Sequence, residues 1–124
     1  MRDRVPYCVS DMRPLSDEER LLMQFLVGRE ASSRLHEIEH LRVVARCGCG
    51  KCPTVLFGTD ENATPMTGSP YTEVASYRGR NSDNIAVGVV LIDRQGQLAE
   101  LEAWSPEGPH IRSWPPVSAL ERFA

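Results

Sequence analysis

The sequence predicts an α+β protein in which two N-terminal helices pack on one face of a four- to five-stranded, mostly antiparallel sheet. Helical periodicity is confined to the first third of the chain, and apolar runs separated by short turns follow it. Helices first and strands afterwards are typical of an antiparallel sheet with helices on one side. At 124 residues, 41% hydrophobic and 25% charged, the chain has the size and composition of a single globular domain, residues 1–124.

The first helix is predicted over residues 16–27. Ser16 and Glu19 have the spacing of a capping box, in which each side chain accepts from the backbone amide of the other residue. Leucine and phenylalanine residues at helical spacing follow and form one apolar face. Gly28 is predicted to end this helix. A second, shorter helix is predicted from residue 32 or 33 to about residue 40.

The strands are predicted over residues 41–47, 54–57, 72–77, 85–92 and 98–104. The run 85–92 is apolar on both faces, which indicates a central strand. Glu100 and Glu102 lie two residues apart on the last strand, and we expect them on its solvated face. The remaining segments are predicted as an extended arm at residues 1–14, a mobile loop at 59–70 and a proline-rich tail at 105–124.

Charge and hydropathy exclude two classes of partner. Fourteen Lys and Arg against seventeen Asp and Glu give a net charge of −3, which argues against nucleic-acid binding, because that depends on neutralising phosphates. The chain contains no apolar run of about 20 residues, so no membrane span is predicted. The first residues lack the apolar centre of a signal peptide, and we expect a cytoplasmic protein. No sequence feature indicates an oligomeric state.

Residues His36 to His40 read His-Glu-Ile-Glu-His, which matches H-E-x-x-H. On an α-helix two histidines four residues apart point the same way and can bind one zinc ion, and Glu37 could then act as general base on a metal-bound water. Such a site needs a third protein ligand. The competing interpretation is a solvated helical face whose polar residues carry no chemistry.

Three of the four cysteines lie within six residues, at Cys47, Cys49 and Cys52. Glycines between them allow the loop to bend so that the thiols converge on one metal ion. A tetrahedral zinc site needs a fourth ligand, which Cys8, His36 or His40 could supply. Two further interpretations remain open, which are free thiols without a role and a redox or disulfide pair.

Several segments together resemble a family of short uncharacterised bacterial proteins. They are Met12-Arg-Pro-Leu-Ser16, Arg42-Val-Val-Ala-Arg-Cys-Gly-Cys-Gly50 with Cys52-Pro-Thr54, Val87-Gly-Val-Val-Leu-Ile92, Gly96-Gln-Leu-Ala-Glu-Leu-Glu102 and Trp114-Pro-Pro116. The resemblance covers about residues 12–120 and implies a cysteine-rich hairpin before a strand pair rich in Gly, Leu and Glu. It implies no activity, and Lys51 is an extra residue within the cysteine cluster relative to that family's pattern.

The sequence therefore predicts a non-catalytic protein that binds a protein partner, and the cysteine hairpin is a candidate site for a structural zinc ion. The alternative is a zinc-dependent hydrolase or peptidase that uses His36, Glu37 and His40. Because no nucleotide fingerprint, nucleophile elbow or phosphate loop is present, no other cofactor is predicted.

Overall fold

The computed structural model describes residues 8–50, 52–60, 63–108 and 110–123, and its main feature is one seven-stranded antiparallel sheet. The strand order is β1-β2-β3-β6-β5-β4-β7. Along the chain the elements are β1 (Cys8–Pro14), α1 (Asp17–Glu30), a 3₁₀-helix (Ser32–His40), β2 (Arg42–Cys47), β3 (Val55–Gly58), β4 (Thr72–Arg80), β5 (Ala86–Arg94), β6 (Gln97–Trp104), a 3₁₀ turn (Val117–Ala119) and β7 (Glu121–Arg122).

The predicted fold class is wrong, because the protein is mostly one large sheet. It has seven strands where four to five were expected, and one α-helix and a 3₁₀-helix where two helices were expected. The two additional strands, β1 and β7, are the edges of the sheet. Neither shows an alternating apolar pattern, since polar and apolar residues follow no period of two in Cys8–Pro14 and β7 has only two residues. Each becomes a strand by pairing with its neighbour, which no local pattern encodes.

Helix α1 begins as predicted and ends later than predicted. The Ser16 hydroxyl accepts from the Glu19 amide at 3.1 Å, and Glu19 Oε1 accepts from the Ser16 amide at 2.8 Å, which confirms the capping box. The helix continues past Gly28 to Glu30, since a glycine within a helix costs only about 0.5–1 kcal/mol relative to alanine. No helix in the described ranges is long and apolar enough to cross a membrane.

The main core lies between α1 and one face of the sheet. Leu22, Met23, Leu26 and Val27 on the helix are buried against strand residues that include Phe57, Leu91 and Leu101. The rings of Phe25 and Tyr77 meet edge to face with centroids 5.5 Å apart. The Tyr77 hydroxyl donates to Glu30 at 2.6 Å, which fixes the end of α1 to β4.

Strand β5 lies between β6 and β4, and this confirms its prediction as a central strand. The expectation for Glu100 and Glu102 is wrong, because only 5% and 3% of these residues are exposed. They lie on the face opposite the main core, where β6 pairs Glu100 with Leu56 on β3 and with Ile92 on β5. The chain after β3 contributes to covering this face, since the backbone oxygen of Gly68 accepts from Arg94 at 2.7 Å.

The predicted arm, loop and tail have the following places in the structure. Residues 8–14 of the predicted arm form β1, and residues 1–7 lie outside the described part of the chain. Residues 63–70 form neither helix nor strand. The proline-rich tail packs against the main core through Ile111 and Trp114, which are 2% and 4% exposed, before it forms β7.

Candidate metal centre

The cysteine loop joins β2 to β3 at one end of the sheet. Cys47 is the last residue of β2, and its amide donates to the Thr54 backbone oxygen at 3.1 Å, which closes the loop. Gly50 has φ +71° and donates its amide to the Cys47 backbone oxygen at 3.4 Å. A positive φ of this size favours glycine, so the sequence Cys-Gly-Cys-Gly bends the chain where the thiols need to converge.

The loop brings three sulfur atoms together. The Sγ atoms of Cys47, Cys49 and Cys52 all lie within 4.8 Å of one another, and those of Cys49 and Cys52 are 3.5 Å apart. The Cys52 amide donates to the Cys49 sulfur at 3.3 Å. Zinc–sulfur bonds of about 2.3 Å in a tetrahedron separate sulfur atoms by about 3.8 Å. The three thiols could therefore hold one metal ion after shifts of about 1 Å or less.

The thiol of Cys47 is not activated as a nucleophile. Burial raises the pKa of Cys47 to about 12, against a hydrogen bond from the backbone of Cys49 that lowers it. Reactive cysteines need a lowered pKa, which a helix N-terminus or a nearby cation supplies. Here strand β3 follows the loop after Pro53 and Thr54, so no helix begins at the cysteine loop. The four cysteines are free thiols in this structure.

Cys8 lies directly opposite Cys47 in the antiparallel register of β1 and β2. The Cys47 amide points toward β3, so Cys8 and Cys47 form a non-hydrogen-bonded pair, in which Cα atoms are about 4.5 Å apart and side chains are close. The Cys8 side chain packs against Ala45 and Leu56, and its sulfur is not within the group of three. The register thus places Cys8 opposite Cys47, with its sulfur outside the group of three.

The two histidines of the H-E-x-x-H motif do not lie on an α-helix. Residues Ser32–His40 form a 3₁₀-helix, with three residues per turn, so residues four apart are rotated by about 120° around the axis. His36 and His40 are both exposed and belong to no group of potential metal ligands in the described ranges. The structure therefore does not bring together the ligand pair of a zinc hydrolase.

Glu37 has a structural partner. Its carboxylate accepts from Arg34 at 2.7 and 3.0 Å, and Arg34 also pairs with Asp93 at 2.8 Å. The hydrogen bond from Arg34 holds the pKa of Glu37 below its ordinary value. A general base near neutral pH needs the opposite shift. Arg34 and its two carboxylates join the 3₁₀-helix to the end of β5.

The fold and the loop define a small, mostly β domain with a three-cysteine cluster at the end of a hairpin. The chain belongs to the family described as a domain of unknown function (DUF6984), which matches residues 12–115. This confirms the prediction of an uncharacterised family, and the bacterial source stays a prediction. No curated protein and no solved structure matches the chain.

Sequence reasoning missed two charged features that the fold assembles. One is the buried pair of Arg94 and Glu100 on the second face of the sheet. The other is a set of arginines beside the cysteine loop, described below, which come from β1, β2 and the tail. Arg94 and Glu100 lie on two consecutive strands, whereas the three arginines come from segments far apart in the chain, and no spacing in the sequence indicates either set.

Proposed function

We propose that the protein binds one zinc ion through the thiolates of Cys47, Cys49 and Cys52, with Cys8 as the fourth ligand, and that this metal is structural. The observation that carries the proposal is the convergence of the three sulfur atoms within 4.8 Å. Soft thiolate ligands in a tetrahedral arrangement select zinc among the common divalent ions. The protein's role is then the non-catalytic binding of a protein partner.

The loop geometry supports a metal site over thiols without a role. The amide of Cys52 donates to the sulfur of Cys49 at 3.3 Å. Hydrogen bonds to ligand sulfurs orient them and stabilise their negative charge. The hydroxyl of Thr54 lies 3.5 Å from the Cys52 sulfur and accepts from the Ala103 amide at 2.9 Å, which anchors the loop to β6.

Cys8 is the fourth ligand best supported by the register. It is the residue opposite Cys47, and in the zinc-bound protein its side chain would rotate about the Cα–Cβ bond, away from Ala45 and Leu56. Cβ atoms of such cross-strand pairs are about 4.5–5.5 Å apart. A closed site with four protein ligands is typical of structural zinc, and it would fasten the edge strand β1 to the hairpin.

The hydrolase alternative gains no support from the geometry. The 3₁₀-helix turns His36 and His40 apart, and Arg34 already engages Glu37. The sheet face bearing Glu100 and Glu102 is buried. Of the exposed large apolar residues, Val9 and Met12 lie on edge strand β1. This edge is the surface that we propose for a protein partner.

Metal content and its response to substitution test the zinc proposal. Protein purified under reducing conditions should contain about one zinc per chain by elemental analysis. The variants Cys47→Ser, Cys49→Ser and Cys52→Ser should lose it, whereas the double variant His36→Ala/His40→Ala should keep it. A protein without metal when one equivalent of zinc is supplied, or loss of zinc in the histidine variant alone, would overturn the proposal.

The role of Cys8 is tested separately with cobalt in place of zinc. Thiolate-to-cobalt charge-transfer absorption increases with the number of thiolate ligands. The Cys8→Ser variant should still bind cobalt, with about three quarters of that absorption. Unchanged absorption in this variant would leave the three-thiolate site and reject Cys8 as a ligand.

A further inference from the structure

A cavity of about 210 Å³ opens beside the cysteine loop. The start of α1, strands β2 and β3 and the C-terminal tail all contribute to its wall. Its apolar side is formed by Pro53, Val55 and Trp114, and the last two are 2% and 4% exposed.

Three arginines line the same cavity, and they differ in how far the protein neutralises them. Arg13 makes two hydrogen bonds of 2.8 Å to the two carboxylate oxygens of Glu19, so that pair is neutral in sum. Arg46 has a weak partner, since its Nε is 4.0 Å from Asp11. Arg112 forms no hydrogen bond or ion pair with the residues that the structure describes.

The positive charges of Arg46 and Arg112 are therefore largely unneutralised by the residues that the structure describes. Guanidinium groups bind carboxylates and phosphates through paired N–H donors, and two of them line this cavity. Glu18 is the one carboxylate of the lining that is not paired with an arginine of the cavity. The negative charge of Glu18 repels an incoming anion, so the removal of this charge should tighten anion binding.

We propose that this cavity binds an oxyanion, a carboxylate or phosphate group, between Arg46 and Arg112. The site lies next to Cys52 but uses neither the thiolates nor a metal ion. It therefore goes beyond the proposed zinc centre, and its test gives a result whether or not zinc binds. The physiological ligand is then a molecule or peptide that carries such a group.

The indole N–H signals of the two tryptophans in a ¹H–¹⁵N NMR spectrum report on the site. Trp114 lines the cavity, and Trp104 packs elsewhere, over Gly88 and beside Phe123. The Trp104→Phe variant assigns the two signals. Titration with inorganic phosphate and, separately, with acetate should move the Trp114 signal in a saturable way. Sodium chloride at matched ionic strength should not.

Four variants then test which charges bind the anion. Arg112→Gln and Arg46→Gln should each weaken binding about tenfold, because each removes charge-assisted hydrogen bonds. Glu18→Gln should tighten it several-fold. Arg78→Gln is the matched control, since Arg78 is exposed and lies on β4 outside the cavity lining, and it should bind as the unchanged protein does.

The outcomes divide clearly. Saturation by phosphate alone identifies a phosphate site, saturation by acetate alone identifies a carboxylate site, and saturation by both supports a general oxyanion site. Two results overturn the proposal. One is an identical response to chloride or no response to any anion. The other is unchanged affinity in both Arg112→Gln and Arg46→Gln.

Discussion

Arg94 on β5 donates from Nη1 to Oε1 of Glu100 on β6 across 2.9 Å, and their side chains are only 2% and 7% exposed. The Nε of Arg94 donates to the Gly68 backbone oxygen, and the Arg94 guanidinium lies 5.7 Å from the centroid of the Tyr71 ring. One arginine thus holds the segment after β3 against the second face of the sheet. On this face a buried ion pair lies among apolar residues under a covering segment, whereas the other face carries an apolar core under a helix.

Removal of either Arg94 or Glu100 alone should lower the free energy of unfolding substantially. Arg94→Met leaves the Glu100 carboxylate buried without its cation, and we expect a loss of about 3–5 kcal/mol in the free energy of unfolding. The double variant Arg94→Met/Glu100→Gln removes both charges and should recover at least half of that loss. Urea denaturation monitored by circular dichroism measures both effects. A loss below about 1 kcal/mol in the single variant would show that water reaches the carboxylate.

The start of α1 should make stability depend on acid pH. Burial raises the pKa of Glu19, but hydrogen bonds from Arg13 and Ser16 lower it by more, so its pKa in the folded protein lies below 4.5. A carboxyl group with a lowered folded pKa stabilises the protein above its unfolded pKa, and this contribution is lost as the pH falls through the folded pKa. Glu19→Gln should cost about 1–2 kcal/mol at pH 7.

The measurement for Glu19 is a series of urea unfolding curves at falling pH. The difference between the unchanged protein and Glu19→Gln should be constant near neutral pH and shrink below pH 4.5. Asp17→Asn is the matched control, because Asp17 is an exposed acidic residue of the same helical turn. A difference between the two proteins that does not change with pH would contradict this account.

Two glycines should respond in opposite directions to alanine. A Cβ at Gly88 would lie 2.2 Å from Nε1 of Trp104, so the indole must move, and we expect a loss of about 1–3 kcal/mol. Gly28 lies within helix α1, and a Cβ at this position would be 3.9 Å from the Leu35 side chain. Gly28→Ala should therefore stabilise the protein by about 0.5–1 kcal/mol. Thermal unfolding of the two variants tests this pair, and the same sign for both would refute it.

Chelation of zinc should lower thermal stability if the metal centre is structural. Metal binding to the folded chain adds directly to folding free energy, by about 2.7 kcal/mol when free zinc is 100 times its Kd. EDTA should lower the Tm of the unchanged protein, and it should not change the Tm of the Cys49→Ser variant. Cys49 is the exposed member of the cluster, so its substitution disturbs packing least. Equal Tm values with and without EDTA in the unchanged protein would count against a structural metal.

The elements that the sequence predicted well are those with strong local signals. The capping box at Ser16 and Glu19 marks the start of α1, and the apolar run around Val89 marks the central strand β5. The glycines between Cys47 and Cys52 marked a tight loop, and the structure brings those thiols together. In each case the residues that carry the signal are neighbours in the chain.

The elements that the sequence predicted poorly depend on contacts between distant segments. Strand β1 exists because Cys8 to Pro14 pair with β2, and β7 exists because two residues pair with β4. Glu100 and Glu102 alternate with apolar residues, which is the usual pattern of a solvated face. Their burial depends on Arg94 and on the segment around Gly68, which no period-2 pattern contains.

By itself the sequence determined the first helix, the five inner strands and the cysteine loop, because short-range periodicity and turn chemistry encode them, and several of its segments resembled an uncharacterised family. Only the tertiary structure decided the seven-stranded sheet, the place of Cys8 opposite Cys47 and the exposure of the two histidines on a 3₁₀-helix. The physical reason is that strand pairing and burial are free energies of contact between segments far apart in the chain. The segments that pair have no fixed spacing along the chain, so local sequence patterns do not predict which strands pair or which side chains become buried.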